Sequence, residues 1–221
     1  MDEARVEGAL GRLLIFPLPG AVLLPHSLVP LHIFEPRYRK LAKDCAAGSR
    51  VLALAHIPDE LAAGAKPPRV LPIVGVGVLA QVDPLPEGRS NIVLRGSLRA
   101  RILEELATSE PYRVVRAEVL REGPAERDLP AVRRAAEGLR RLVLAICSAM
   151  PGDESSALAV LAARAQEPGE LADVVAGALL EGALDRQQVL EAVHLEERLE
   201  LASQAAASAL AQTASPASAP N

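Results

Sequence analysis

Aromatic residues are scarce in this 221-residue chain, which contains two phenylalanines, two tyrosines and no tryptophan. The chain therefore has few flat side chains on which nucleobases could stack. Methionine is equally rare, while hydrophobic residues make up 50% of the sequence, so the core must consist of leucine, valine, isoleucine and alanine. That hydrophobic content can support one large domain or two small ones.

Cysteine and lysine are also rare. The two cysteines, Cys45 and Cys147, are far apart, and the acidic N-terminal segment MDEARVEG lacks the basic start of a signal peptide. We therefore predict reduced thiols and a cytoplasmic location. None of the three lysines follows a glycine in the spacing GxxxxGK[ST], which argues against a P-loop ATPase.

Charged residues are missing from residues 13–34, a run long enough to cross a bilayer as a helix. The run contains four prolines, and each interior proline costs a helix about 3 kcal/mol because it removes a donor and clashes with the preceding turn. We therefore predict a buried segment of strands and turns, and no membrane partner.

A concentrated field of either charge is also absent. The net charge of −4 divides into about +2 for residues 1–122 and −6 for residues 123–221. Neither value is typical of a dedicated nucleic-acid-binding protein. The difference between the halves favours two structural units.

Residues 10–122 carry the short apolar runs of β-strands, separated by Pro, Gly, Asp and Ser. One helix is predicted among them, in EPRYRKLAKDCAAG, with Pro36 at its first position and Gly48 at its C-terminal cap. Its core-facing residues should be Tyr38, Leu41, Ala42 and Cys45. The predicted strands are RLLIF, VLALAHI, VLPIVGVGVLAQV, SNIVLRGSLRARILEE and YRVVRAEVLRE, with a hairpin loop at DPLPEGRSN.

From about residue 128 the apolar residues follow a helical period. Helices are predicted in DLPAVRRAAEGLRRLVLAICSAM, ESSALAVLAARAQ and GELADVVAGALL, and a last helix or broken pair of helices runs to about residue 210. The core-facing residues of the first should be Val132, Ala135, Leu139, Leu142, Val143 and Ile146. We thus predict an α+β protein with a β-rich subdomain at 10–125, a helical bundle at 126–210 and a disordered tail at 211–221.

No motif of enzymatic chemistry stands out. Gly75 and Gly77 match a GxGxxA dinucleotide pattern, but QVDPLP follows where a helix should begin, so a plain strand is favoured. His32 and Glu35 are three positions apart, but Pro36 follows immediately and no helical HExxH arrangement is present, and no other histidine has a second ligand nearby in the sequence. His26 and Ser27 are adjacent and would point to opposite faces of an extended segment, so Ser27 is expected to be a turn residue. We predict no catalytic residue, no cofactor and no metal.

Glu35, Arg37 and Tyr38 form the most informative polar cluster, and two interpretations are open. They form a binding surface, or they are structural, and the structural interpretation is favoured. In the structural case the Glu35 carboxylate accepts backbone N–H groups at the helix N-terminus, and Arg37 pairs with a nearby carboxylate.

Read in order, FPLPGAVLLPHSLVPLHIFEPRYRKL resembles the start of the N-terminal, substrate-binding domain of Lon proteases, with the phrase PLHIFEPRYR almost letter for letter. Three further stretches resemble later parts of the family, so the resemblance covers about residues 10–205. These stretches are VGVGVLAQVDPLPEGRSNIVLRGSLRARILEE, PYRVVRAEVL and LADVVAGALLEGALDRQQVLEAVHLEERLELA. It implies a β-rich, PUA-like pseudo-barrel followed by an α-helical bundle.

The resemblance implies a non-catalytic polypeptide-recognition or adaptor module, without the ATPase and Ser–Lys peptidase modules that follow this domain in the full protease. The expected partners are unfolded or specific polypeptides and a separate Lon-type protease. The motif residues carried over as candidates for binding, or for a conformational role, are Pro30, Phe34, Glu35, Pro36, Arg37 and Tyr38.

RNA binding is the alternative, by analogy with PUA-like folds. Its candidate residues are five arginines of two predicted neighbouring strands, Arg95, Arg99, Arg101, Arg113 and Arg116. Neighbouring glutamates dilute this patch, so nucleic acid is the less favoured partner. A hydrolase is the weakest alternative, since Ser27 is its sole candidate nucleophile.

Overall fold

The computed structural model describes residues 2–58, 67–123, 126–150 and 152–214. The chain divides into two compact units, Met1–Arg121 with Gly182–Glu191, and Glu122–Glu181 with Ala192–Asn221. Strands occur in the first unit and long helices in the second, so the predicted α+β class is confirmed. The predicted subdomains of residues 10–125 and 126–210 stay a prediction.

The first unit contains six strands and three helices in its described residues. All five strands predicted from the apolar runs are present, and the DPLPEGRSN segment forms the predicted hairpin between two of them. Two elements were not singled out by the apolar pattern, namely an N-terminal helix and a strand that contains a proline. The elements are α1 (Asp2–Ala9), β1 (Leu13–Leu18), β2 (Leu28–Ile33), α2 (Pro36–Ala47), β3 (Val51–His56), β4 (Ile73–Pro84), β5 (Ser90–Glu105), β6 (Arg113–Leu120) and α6 (Ala183–Glu191).

The six strands form one sheet in the order β2-β5-β4-β3-β1-β6. Strands β5 and β6 also pair with each other, which closes five of the strands into a ring. The β1–β3 pair is parallel and the other pairs are antiparallel. The 16-residue β5 pairs with β2 through its first half and with β6 through its second half, so β2 lies outside the ring as an edge strand.

Two hydrophobic clusters line the two faces of this sheet, and β3 contributes to both because its six residues are all buried. Val51, Ala53 and Ala55 point to the cluster that also holds Val6 of α1. Leu52 and Leu54 point to the cluster that holds the buried face of α2. The buried residues of α2 are the four that were predicted, Tyr38, Leu41, Ala42 and Cys45.

The glycines of the GxGxxA-like pattern are part of a plain strand, as predicted, and the reason is close packing. A Cβ on Gly75 would lie 1.7 Å from the Leu23 carbonyl oxygen, and a Cβ on Gly96 of β5 would lie 2.0 Å from the Leu24 carbonyl oxygen. The proline-flanked segment between β1 and β2 therefore packs directly on the backbone of β4 and β5. Ser27 is a turn residue, whose hydroxyl donates to the Leu24 carbonyl at 2.6 Å.

The second unit consists of helices in its described residues. The apolar stripe predicted for the first of these helices is correct at Val132, Leu139, Val143 and Ile146. Ala136 is buried in place of Ala135, and Leu142 is only partly buried. The last helix continues to Ala214, so residues 211–214 of the predicted tail are helical, and residues 215–221 lie outside the described residues. These helices are α3 (Pro130–Ala149), α4 (Asp153–Arg164), α5 (Pro168–Leu179) and α7 (Leu195–Ala214).

Helix α6 belongs with the strands although its sequence lies between helices of the second unit. The buried Arg99 of β5 donates to the Leu190 carbonyl at 3.1 Å, and the Gln187 amide donates to the Ile73 carbonyl at 3.0 Å. A buried guanidinium needs such acceptors, because an unpaired charge in the interior is costly. Arg99 thus ties the C-terminal end of α6 to the sheet.

Candidate functional site

The segment LVPLHIF places alternate side chains on two faces, as a strand does. Val29, Leu31 and Ile33 face the cluster that holds α2. The intervening residues, together with the residue that follows the strand, form the β2 outer face, which we define as Leu28, Pro30, His32 and Phe34. All four are exposed to solvent.

The β2 outer face carries two large hydrophobic side chains that have little contact with the protein. Leu28 is 63% exposed and Phe34 is 60% exposed. The His32 ring stacks on the Phe34 ring at a centroid distance of 6.0 Å, and His32 Nδ1 lies 2.8 Å from the Asn91 amide oxygen. The phenylalanine is therefore supported on one side by a positioned imidazole and is open to solvent on the other.

The edge position of β2 leaves this face next to a strand border without a partner. Among the described strands β2 pairs with β5 alone. Exposed strand edges can receive an extended chain, and proline blunts such an edge because it has no N–H group to donate. Pro30, at the middle of β2, therefore weakens pairing with another strand while its ring adds to the apolar outer face.

The residues after Phe34 line a cleft. The motif cleft, of about 570 Å³, has one wall from the end of β1 and the start of α2 and another from the β5–β6 connection. Five prolines contribute to it, so much of its lining is backbone of restricted conformation. The residues of this cleft are Pro17, Leu18, Pro19, Glu35, Arg37, Tyr38, Ile57, Pro67, Pro68, Glu105, Leu106, Ala107, Thr108, Glu110, Pro111, Tyr112 and Arg113.

Tyr38 anchors the first wall of the motif cleft. Its ring lies 4.2 Å from the Phe16 ring at 50°, the Arg37 guanidinium lies 4.4 Å above it, and its hydroxyl donates a long 3.4 Å bond to the Pro17 carbonyl. Burial raises the pKa of this phenol. Tyr38 therefore packs α2 against β1.

One detail of the structural interpretation is wrong, namely that the Glu35 carboxylate caps α2. Glu35 is the N-cap residue of α2, but its side chain makes no capping bond. Its carboxylate instead accepts a 3.0 Å bond from Arg37 Nε, which is the ion pair expected for Arg37. The backbone carbonyl of Glu35 receives the N–H groups of Tyr38 and Arg39. Pro36 at the first helical position already lacks one donor that a cap would satisfy.

The second wall is held to α2 by a network around Tyr112. The Tyr112 hydroxyl donates to the Asp44 carboxylate at 2.6 Å, and the Lys40 ammonium lies 2.6 Å from Asp44 and 2.7 Å from Glu110. The bond from Lys40, followed by the bond from Tyr112, lowers the pKa of Asp44. Burial and the bond to Asp44 raise the pKa of Tyr112 to about 12.

Charges around the motif cleft are paired with one another. Arg113 forms a bidentate pair with the Glu105 carboxylate at 2.9 and 2.7 Å and also donates to the Pro68 carbonyl. With the Arg37–Glu35 and Lys40–Glu110 pairs, every carboxylate of the lining has a cationic neighbour. The cleft therefore presents prolines and paired charges rather than a net charge, which suits an apolar or neutral ligand segment.

The six candidate motif residues fall on two surfaces. Pro30 and Phe34 belong to the β2 outer face, while Glu35, Arg37 and Tyr38 line the motif cleft. Pro36 begins α2 and is exposed. Sequence reasoning missed Leu28, although the alternation of Leu28 with the three following outward residues was a usable signal. It also missed Tyr112, whose partners are distant in sequence.

The arginines proposed for RNA binding are largely engaged within the protein. Arg99 is buried against α6, Arg113 pairs with Glu105, and Arg116 pairs with Glu104 at 2.8 Å. A guanidinium already paired with a carboxylate has less to gain from a phosphate.

Other chemistries find little support in the part of the chain that the structure describes. No group of three or more His, Cys, Asp or Glu side chains there could hold a metal ion. No described helix is long and apolar enough to cross a membrane. Cys45 is buried and donates to the Val51 carbonyl, and burial raises the pKa of its thiol to about 11, which makes it a poor nucleophile at neutral pH.

Comparison with known proteins supports the resemblance read from the motif. The family model of the ATP-dependent protease La (LON) substrate-binding domain matches residues 12–206. A Lon protease of Roseiflexus castenholzii is 28% identical over 187 residues, which cover 84% of this chain and 22% of the relative. A Lon protease of Azospirillum brasilense is 26% identical over 204 residues, which cover 90% of this chain and 25% of the relative. The chain thus spans about a quarter or less of these relatives.

Solved structures of similar fold are N-terminal domains of the same kind. The N-terminal domain of the Mycobacterium avium complex Lon protease has a TM-score of 0.70 at 21% identity, covering 89% of this chain and 98% of that one. A Lon N-terminal domain protein from Xanthomonas campestris has a TM-score of 0.58 at 21% identity, covering 86% and 95%. The predicted fold is therefore confirmed.

Proposed function

The chain belongs to the ATP-dependent protease La (LON) substrate-binding domain family, and we propose that it is a non-catalytic module that binds extended polypeptides. The β2 outer face makes the main contact, and the motif cleft receives a neighbouring part of the same polypeptide. Glu35, Arg37 and Tyr38 contribute to binding as part of the cleft wall, and Pro30 and Phe34 contribute as part of the outer face.

The observation that carries this proposal is the exposure of Leu28 and Phe34 on one face of an edge strand. Covering a large apolar side chain stabilises a complex by about 1.5–3 kcal/mol per residue, before the cost of ordering the partner. A single exposed leucine is ordinary, but two such residues on one strand face beside an open edge are typical of a docking surface.

Pro30 makes the proposed binding tolerant of sequence. Because proline cannot donate to an added strand, the contact depends on apolar side chains more than on a continuous hydrogen-bond ladder. A surface that binds apolar side chains without requiring a particular sequence suits unfolded polypeptides, which expose apolar residues of many kinds.

The decisive experiment compares two leucines of equal exposure. Leu28 and Leu184 of α6 are both 63% exposed and both belong to the first unit. We expect the double variant L28S/F34S to lose at least about tenfold in affinity for reduced, unfolded β-casein, measured by fluorescence anisotropy, since about 1.4 kcal/mol corresponds to a factor of ten. L184S is the matched control and should keep wild-type affinity. Equal losses in both variants would refute the proposal.

The proposal also excludes catalysis by these residues. The sequence contains no GxxxxGK[ST] phosphate loop, and the cleft side chains are engaged in structural bonds rather than poised as a nucleophile and base. We propose that a separate Lon-type protease and the polypeptides it degrades are the partners, in the cytoplasm. RNA binding is less well supported, because three of its five arginines are buried or paired.

A further inference from the structure

A second groove lies in the first unit, between α2 and the hairpin that joins β4 to β5. It has a volume of about 710 Å³. Its floor is hydrophobic and is formed by two alanines of α2, two residues at the end of β4 and the leucine that follows β4. These floor residues are Ala42, Ala46, Val82, Pro84 and Leu85. It shares no lining residue with the motif cleft.

The rim of this groove is cationic. Arg39 donates to the Glu87 carbonyl, and Arg89 Nε donates to the Pro86 carbonyl at 3.3 Å, so one tight turn holds two guanidinium groups. Backbone carbonyls orient these arginines without neutralising them. The nearest carboxylate contact is a 3.9 Å approach of Arg89 to Glu87, whose side chain is 79% exposed.

Lys43 adds a further charge at the rim. It forms no ion pair with any residue in the ranges that the structure describes. The neighbouring Lys40 differs, because Asp44 and Glu110 balance it. The lining holds four cations, those of Arg39, Lys40, Lys43 and Arg89, and one carboxylate, that of Asp44. Asp44 pairs with Lys40 at 2.6 Å and interacts more weakly with Lys43, so the groove carries an excess of positive charge.

We propose that this cationic groove, formed by the hydrophobic floor and the rim of Arg39, Lys43 and Arg89, binds an acidic, hydrophobic polypeptide segment. Apolar residues of the segment cover the floor, and its carboxylates pair with the rim. This goes beyond the proposed function, since it adds a second surface with a preference for charge, whereas the β2 outer face and the motif cleft carry none.

The shape and composition of the groove favour a peptide over a nucleic acid. None of its described lining residues is aromatic, so these residues offer no stacking platform for bases. Its hydrophobic floor matches side chains such as leucine better than a sugar–phosphate backbone. Arginine at such a rim suits carboxylates because its planar fork can form two parallel bonds.

The test uses two short labelled peptides, one alternating leucine with glutamate and one alternating leucine with glutamine. The wild-type protein should bind the glutamate peptide about tenfold more tightly at low salt, and added salt should reduce this preference because the rim is exposed. The variant K43E/R89E should lose the preference. The matched control is R134E/R141E, which makes the same change of net charge on exposed residues of α3.

Three kinds of outcome would overturn the proposal. The first is equal binding of both peptides by the wild type, or a loss of the preference for the glutamate peptide in R134E/R141E as large as the loss in K43E/R89E. The second is tighter binding of an oligouridylate that K43E/R89E abolishes, which would assign the groove to nucleic acid. The third is self-association lost in K43E/R89E without any peptide preference, which would assign it to a second copy. The L28S/F34S variant should keep the preference for glutamate, which separates this test from that of the proposed function.

Discussion

The phenol of Tyr112 donates a 2.6 Å hydrogen bond to the carboxylate of Asp44, which lies 68 positions earlier in the chain. The bond joins α2 to the segment that leads into β6, and both the segment and Tyr112 line the motif cleft. The cleft is thus built by long-range contacts, and its wall should be sensitive to the loss of this one bond.

Removal of the Tyr112 hydroxyl should weaken the first unit. We expect Tyr112→Phe to lower the free energy of unfolding by about 1–2 kcal/mol, because a bond to a carboxylate is lost at a partly solvated site. Urea unfolding with an unchanged m-value would measure it. Tyr38→Phe is the control and should cost less, since its bond to the Pro17 carbonyl is 3.4 Å long. A larger loss at Tyr38 would contradict the account.

Alkaline titration should resolve Tyr112 directly, because the chain has two tyrosines and no tryptophan. The pKa of Tyr112 is raised from 10.0 to about 12, so its stabilising bond is fully present below pH 10 and is lost as the pH rises toward 12. Burial also raises the pKa of Tyr38, the other tyrosine, so the tyrosinate absorbance of the folded protein should rise only above pH 10. Tyr112→Phe should remove the step near 12, and a normal titration of the folded wild type would refute the prediction.

Glu126 should stabilise α7 through a charged cap. Its carboxylate accepts the Leu195 N–H at 2.9 Å and lies 3.1 Å from His194 Nδ1, and the backbone bond is the main cause of its lowered pKa. This stabilisation is present above pH 4.5 and is lost as the pH falls through the lowered pKa. Glu126→Gln should therefore cost about 1 kcal/mol at neutral pH and progressively less in acid.

Chemical unfolding at several pH values would measure the effect of Glu126→Gln. Glu137→Gln, at an exposed position of α3, is the control and should change little. A loss of stability in Glu126→Gln that stays constant into acid would contradict the charged-cap explanation.

Gly75→Ala should be severely destabilising. The new methyl group would lie 1.7 Å from the Leu23 carbonyl oxygen, so the segment between β1 and β2 must move off the sheet. We expect a loss of about 3 kcal/mol or more in the free energy of unfolding. Gly138→Ala is the control, since a Cβ there meets nothing within 4 Å, and in the middle of α3 it should stabilise by about 0.5–1 kcal/mol. Thermal unfolding of both variants would show opposite shifts.

Local periodicity predicted much of the fold. The four buried residues of α2 and the five apolar strands follow from spacing alone, because each pattern reports the face that an element buries. Strand β2 was harder to predict, since Pro30 is unfavourable in a paired strand and is tolerated there only at an edge. Helix α1 was not predicted, because a short polar helix depends on tertiary contacts of the buried Val6.

The candidate site was predictable only in part. The motif marked Phe34, Arg37 and Tyr38, which are close in sequence. The opposite wall of the cleft, near Tyr112, is brought to α2 by the pairing of β5 with β6, and no local pattern reports such a contact. The unexpected grouping of α6 with the strands depends on the buried Arg99, whose acceptors are carbonyls about 90 positions away.

Site-specific crosslinking tests the central claim most directly. A photoreactive benzoylphenylalanine placed at Phe34, or at Leu184 as the control of similar exposure, would be irradiated with unfolded β-casein bound. The account predicts crosslinked casein at position 34 and little at position 184. Crosslinks at 184 but not at 34 would show that polypeptides do not bind at the β2 outer face.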